Sequence, residues 1–224
     1  MEVTYIGHSG FLVAMTGCQL LFDYQKGTLP TLAADKPLYV LVSHGHGDHY
    51  TKKIFHISHP ERHYILSDDI TDRPRRDDIT VLAPWQIYGD RHVRISTLAS
   101  TDLGVAYLVE TEGKVIFHAG DLNCWVWDGE TEAKNRQMAD MFRTDMEPLR
   151  GRTLDAAFMP LDPRQGDDCR LGMDYLLQIA AVRDLFPMHF WDRPQVIAEY
   201  RRLTELPAGT TLHDVATPGQ HWTL

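Results

Sequence analysis

The chain has 224 residues, 43% hydrophobic and 24% charged, with 31 acidic against 22 basic side chains and a formal net charge of −9. This balance fits one soluble globular domain over residues 1–224, long enough to bury a sizeable core. It argues against a general nucleic-acid binder, which needs a basic face, and no apolar run approaches the roughly 18 residues of a membrane span. The apolar N-terminus has no Lys or Arg before Lys26 and alternates like a strand, so no secretory leader is expected. Cys18, Cys124 and Cys169 are odd in number and lie far apart, which suits a reducing cytoplasmic location without a structural disulfide.

Short β-rich runs open the chain at residues 3–6, 11–14 and 19–22, punctuated by Gly7, Gly10 and Gly17. Leu38-Tyr39-Val40-Leu41-Val42 is nearly all apolar, as a strand buried on both faces would be. A short helix is expected near Thr51–Phe55 and a strand at 63–66, and the polar segment from Ser67 to Asp78 reads as a surface loop. Hairpin patterning resumes at 79–82 and 92–95, and strands 105–109 and 114–118 face each other across Glu112-Gly113. Met138, Met141, Phe142 and Met146 fall at helical spacing and are expected to pack as core. Strands at 155–159 and 186–190 and helices at 173–182 and 195–203 complete an α/β pattern.

Chemistry concentrates in His44-Gly45-His46-Gly47-Asp48-His49, directly after the apolar strand. An extended backbone puts the imidazoles of His44 and His46 on one face. Gly45 and Gly47 are expected to turn the chain sharply and leave room for ions. Asp48 and His49 then offer an oxygen and a nitrogen to a second ion. Nitrogen and carboxylate donors at this density suit zinc first, with Mn, Fe or Ni as competitors.

His-x-His-x-Asp-His after an apolar strand resembles the metal-binding motif of the metallo-β-lactamase-fold hydrolases, and the resemblance covers essentially the whole chain. It implies a four-layer αββα sandwich with one or two metal ions at its edge. The opening Tyr5-Ile6-Gly7-His8-Ser9-Gly10-Phe11-Leu12, with Leu21-Phe22-Asp23, is similar to the branch of ascorbate-phosphate lactonase-like hydrolases. Phe117-His118-Ala119-Gly120-Asp121 resembles the family's Gly-Asp motif, whose aspartate bridges two metals, and Pro187-Met188-His189-Phe190 resembles the segment of its last histidine ligand. The implied metal ligands are His44, His46, Asp48, His49, Asp121 and His189. The family's third histidine to the first metal is missing from Leu98–Gly104. Asp102 is the candidate to replace it, and an oxygen donor there tilts the preference towards Fe or Mn.

The resemblance implies a metal-bound hydroxide attacking a small, anionic ester, lactone or phosphodiester, with Asp48 or Asp121 orienting the nucleophile. His8, Arg164 and Trp191 are expected at the substrate and Asp23 behind the metal loop, while Trp125 and Trp127, which flank the Asp121 motif, read singly as packing with a pocket wall as the alternative. The expected partner is a small molecule, not nucleic acid or a membrane; oligomeric state is open. Two rival readings stand: a nuclease of the same fold, and a non-catalytic metal- or ligand-binding module with an incomplete first site.

Overall fold

A computed structural model describes residues 1–224. The first strands, β1 (Glu2–Gly7), β2 (Gly10–Ala14) and β3 (Gln19–Phe22), form the antiparallel meander that their glycine punctuation predicts. Parallel pairing then adds β4 (Leu38–Val42), β5 (Arg62–Ser67) and β6 (Ile79–Leu82). The second sheet holds β7 (Ile87–Gly89), β8 (Arg94–Ala99), β9 (Val105–Thr111), β10 (Lys114–His118), β11 (Thr153–Pro160), β12 (Ala181–Met188) and β13 (Thr211–Leu212). The C-terminal β14 (His221–Thr223) returns to pair with β1, so the first sheet runs β14-β1-β2-β3-β4-β5-β6.

Alternation along the strands of the first sheet divides its side chains between two layers. Phe11, Val13, Leu20, Phe22, Tyr39, Leu41 and Ile65 face the second sheet in the main core. Leu12, Leu21, Leu38, Val40, Val42, Tyr64 and Leu66 face outward into a smaller cluster. β4 is therefore buried on both faces, as its composition predicts. Between the sheets, Phe158 packs against Phe11 at 4.6 Å and Phe186 at 5.0 Å between ring centroids. The outer face of the second sheet carries α1 (Glu132–Met146), α2 (Leu171–Ile179) and α3 (Gln195–Leu203). Over the first sheet the cover is thin: a short 3-10 helix at Lys52–His56 and irregular chain supply Ile54, Ile57 and Ile70.

The architecture is the expected layered α/β sandwich, with local corrections. Segments 79–82 and 92–95 do not form a hairpin; they belong to different sheets, and β8 takes the unpredicted β7 as its partner. The helix expected at 173–182 stops at Ile179, because its last residues start the eight-residue strand β12, which in turn ends one residue before His189. In α1 only Phe142 and Met146 are buried, while Met141 is exposed and Met138 lines a cleft. Helical spacing specifies a face but not what covers it.

Candidate metal centre

One rim of the sandwich gathers the ends of β1, β4, β10 and β12. The loop after β4 delivers His44, His46, Asp48 and His49; the turn after β10 delivers Asp121; His189 follows β12; His8 follows β1; and Asp102 comes from the loop before β9. The donor atoms form two groups, each within 4.8 Å: His44, His46, Asp102 and Asp121 in one, His8, Asp48, His49 and His189 in the other. All seven expected ligands are thus brought together, Asp102 included, and His8 joins the second group. Asp121 lies between the groups, with Oδ2 3.5 Å from His44 Nε2 and Oδ1 3.2 Å from His49 Nε2 and 3.4 Å from His189 Nε2.

These contacts are close without being hydrogen bonds. His8 Nε2, His44 Nε2, His49 Nε2 and Asp121 Oδ1 are buried and have no aligned hydrogen-bond partner. Leaving several such groups unpaired in the interior costs about 1–3 kcal/mol each. Buried donors that converge on shared points, rather than on one another, have the geometry of ligands around cations, and nitrogen with carboxylate donors fits divalent transition metals.

The electrostatics agree. Burial holds His44 below its ordinary pKa, which favours the neutral ring with a free lone pair. Burial alone would raise Asp121, but His49, His189 and His44 surround it and keep its carboxyl well below the usual carboxylate range. Burial also disfavours protonated His49, yet Asp121 and Asp23 on either side outweigh it and raise the ring well above its ordinary value. A cation at Nε2 would supply the positive charge that these carboxylates otherwise draw as a proton.

The remaining ring nitrogens are held from behind. His49 Nδ1 meets Asp23 Oδ2 at 2.8 Å, and Asp23 also accepts from the Ser43 amide at 2.8 Å and the Ser43 hydroxyl at 2.7 Å. His189 Nδ1 lies 3.1 Å from Asp162 Oδ2, which also accepts from Trp191 Nε1 at 3.2 Å. Such carboxylate contacts orient a ligating imidazole and fix its tautomer. Asp23 was legible in the sequence in this role; Asp162 was not, since its loop carried a signal only for Arg164. His118 bonds Ser9 O at 2.9 Å through Nε2 and accepts from the Gly120 amide at 3.2 Å, so it shapes the Gly-Asp turn.

The chain turns at Gly47, where the His49 and Tyr50 amides donate to His46 O at 3.0 and 2.8 Å, but the left-handed glycines lie elsewhere. Neither Gly45 nor Gly47 has positive φ, so neither makes a left-handed turn. Gly104 (φ 72°) and Gly120 (φ 54°) do, and a Cβ on either would strike Ser43, at 2.1 Å from its carbonyl oxygen and 2.6 Å from its Cβ respectively. The two turns clamp Ser43 at the base of the histidine loop. Four non-glycine residues at the rim, His8, Asp23, His189 and Trp191, also have positive φ, a strain that the surrounding packing must hold.

A cleft of about 360 Å³ opens onto both donor groups. Trp125, Trp127, Trp191, Met138 and Arg164 wall it. Arg164, however, turns Nε and Nη2 onto Asp162 and packs over Trp191 at 4.6 Å and Trp127 at 5.7 Å. Its forked face is therefore occupied, and only Nη1 is free of protein partners. Thr101 Oγ1 donates to Asn123 O at 2.6 Å, tying the loop of Asp102 to the segment after Asp121.

Comparison with known proteins places this geometry. The family model for the beta-lactamase superfamily domain matches residues 2–137. A metal-dependent hydrolase of Heliobacterium modesticaldum is 26% identical, covering 100% of this chain and 98% of its own length. Among solved structures, the metallo-beta-lactamase fold protein YhfI of Bacillus subtilis aligns with a TM-score of 0.64 at 16% identity, covering 99% of this chain and 98% of its own. The diiron beta-hydroxylase CmlA of Streptomyces venezuelae aligns with a TM-score of 0.63 at 11% identity, covering 100% of this chain and 54% of its own. With its two seven-stranded sheets and its rim of histidines and aspartates, the chain belongs to the beta-lactamase superfamily.

Proposed function

We propose that the chain is a metal-dependent hydrolase acting on a small ester, lactone or phosphodiester, with two divalent ions held by His44, His46, Asp102 and Asp121 and by Asp48, His49, Asp121 and His189. The observation that carries this reading is the set of buried, unpaired donors, His44 Nε2, His49 Nε2 and Asp121 Oδ1, at the floor of an open cleft. Held by these residues, divalent ions would supply Lewis acidity, which lowers the pKa of bound water to about 7 and polarises a substrate oxygen. Asp121, shared between the groups, and Asp48, half-exposed at the cleft, orient the attacking water. Trp125, Trp127, Trp191 and Met138 exclude bulk water from an apolar part of the substrate, and Arg164 Nη1 is placed for a single negative charge.

Fold alone does not select the reaction, since the same architecture serves a diiron hydroxylase. Hydrolysis is favoured by the relatives that align end to end, which are named metal-dependent hydrolases. A nucleic-acid substrate is disfavoured because Arg164 is the only basic side chain, apart from histidines, lining the cleft, beside Asp48, Asp102 and Asp121. Zinc is the first choice for the histidine-rich group, and Mn or Fe suits the group containing Asp102.

The test is metal analysis after metal-supplemented expression, with a screen of esters, lactones, phosphodiesters and thioesters. The expected result is up to two transition-metal ions per chain and hydrolysis that chelation abolishes and metal restores. No stoichiometric metal, or hydrolysis that survives both chelation and Asp121→Ala, would overturn the reading.

A further inference from the structure

We propose that His8 is an additional ligand of the ion held by Asp48, His49 and His189, and that this makes the buried half of the centre the tighter of the two. The proposal rests on the metal-centre reading above and concerns a residue outside the motifs that define it. The His8 side chain is 8% exposed, and its Nε2 is buried without an aligned partner. That nitrogen lies 3.2 Å from Asp48 Oδ2, and His189 Nε2 lies 3.7 Å from the same oxygen. Ligands about 2.1 Å from one ion sit roughly 3.0 Å apart at right angles and about 4.2 Å apart when opposed. The 3.2 and 3.7 Å distances to Asp48 Oδ2 fall inside that span, and all four donor atoms lie within 4.8 Å of one another.

The backbone holds the ring in place. β1 shifts register between Tyr5 and Gly7, and His8, in the two-residue turn that joins β1 to β2, takes a left-handed φ of 52°. The His8 ring packs 4.3 Å from His189 and 4.9 Å from Trp191 between centroids. With His8 the buried group offers three imidazoles, whereas the other offers two, and its His46 and Asp102 side chains are 49% and 46% exposed. Zinc and cobalt favour imidazole over carboxylate, so the richer and drier group fills first.

Cobalt titration of the metal-free full chain, followed by visible absorption and equilibrium affinity, tests this without an activity assay. Wild type is expected to take its first Co2+ in the His8 group. Both His8→Ala and His8→Gln should weaken that step at least about tenfold, the scale on which removal of even an outer partner of a ligand is felt. The visible bands of the first equivalent should also intensify as the coordination number falls. Gln keeps an N–H donor facing Asp48. If Gln behaves as wild type while Ala is weakened, His8 only orients Asp48 and the proposal falls. Wild-type affinity and spectra in both variants also overturn it, while the metal-centre reading survives. If wild type binds no Co2+, both fall together. Circular dichroism of the metal-free variants checks that each remains folded.

Discussion

The two donor groups at the rim, the two halves of the proposed centre, both touch Asp121 but are built differently. His44, His46 and Asp102 line the open side, and His46 and Asp102 are about half exposed, with no carboxylate behind either. His49 and His189 are buried, and each ring is braced through Nδ1 by an aspartate, Asp23 or Asp162. Burial and bracing preset the second half, while the first must gather its ligands at some cost in side-chain freedom.

The sharpest break of the comparison is Asp121→Ala, which removes the one residue common to both halves. It should lower metal content at both and cut any hydrolysis by more than about 100-fold, beyond what loss of an outer partner costs, as read by metal analysis and kinetics. Asp162→Ala separates the halves: His189 loses its brace, so affinity of the buried half should fall about 10- to 100-fold while the open half is spared, read by stepwise metal titration. Asp102→His sharpens the contrast in the other direction. It should raise zinc affinity of the open half by roughly tenfold and reduce its preference for manganese, read by competition between the two metals.

The smallest effect lies away from the rim and serves as a control for global stability. Burial raises the Asp155 carboxyl, but the Val115 amide at 2.9 Å, Lys114 and Arg183 outweigh it and hold the group below its ordinary value of 3.8. A depressed carboxyl contributes stability above pH about 4 that is lost as pH falls through its folded value. Asp155→Ala should cost about 1–2 kcal/mol at neutral pH, mainly the Val115 hydrogen bond because the Lys114 and Arg183 ends of the ion pairs are exposed. In thermal melts the gap to wild type should close below pH 4, with metal content unchanged.

How much was legible in advance depended on whether the signal was local. The histidine loop could be read because it crowds four donors into six residues after an apolar strand, whereas the Gly-Asp turn was identified through the family resemblance and Asp23 through the support that a metal loop requires. Asp162 could not: it stands in a turn beside Arg164, and only the folded chain brings it onto His189. Nor could the clamp of Gly104 and Gly120 on Ser43, which exists only because three loops converge. The methionine spacing identified a helix but not its cover, so Met138 was expected in the core and lies at the cleft.

By itself, the sequence determined the class of chemistry: histidines and aspartates at fixed spacing, next to strands whose alternation sorts side chains into layers. Only the tertiary structure decided how the donors divide. Whether His8, Asp102 or His118 faces a metal depends on which strand ends meet at the rim and at what height. That is set by the pairing of β3 with β4 and β11 with β12, and by the packing of one sheet on the other. Those are long-range contacts, and local residue spacing carries no record of them.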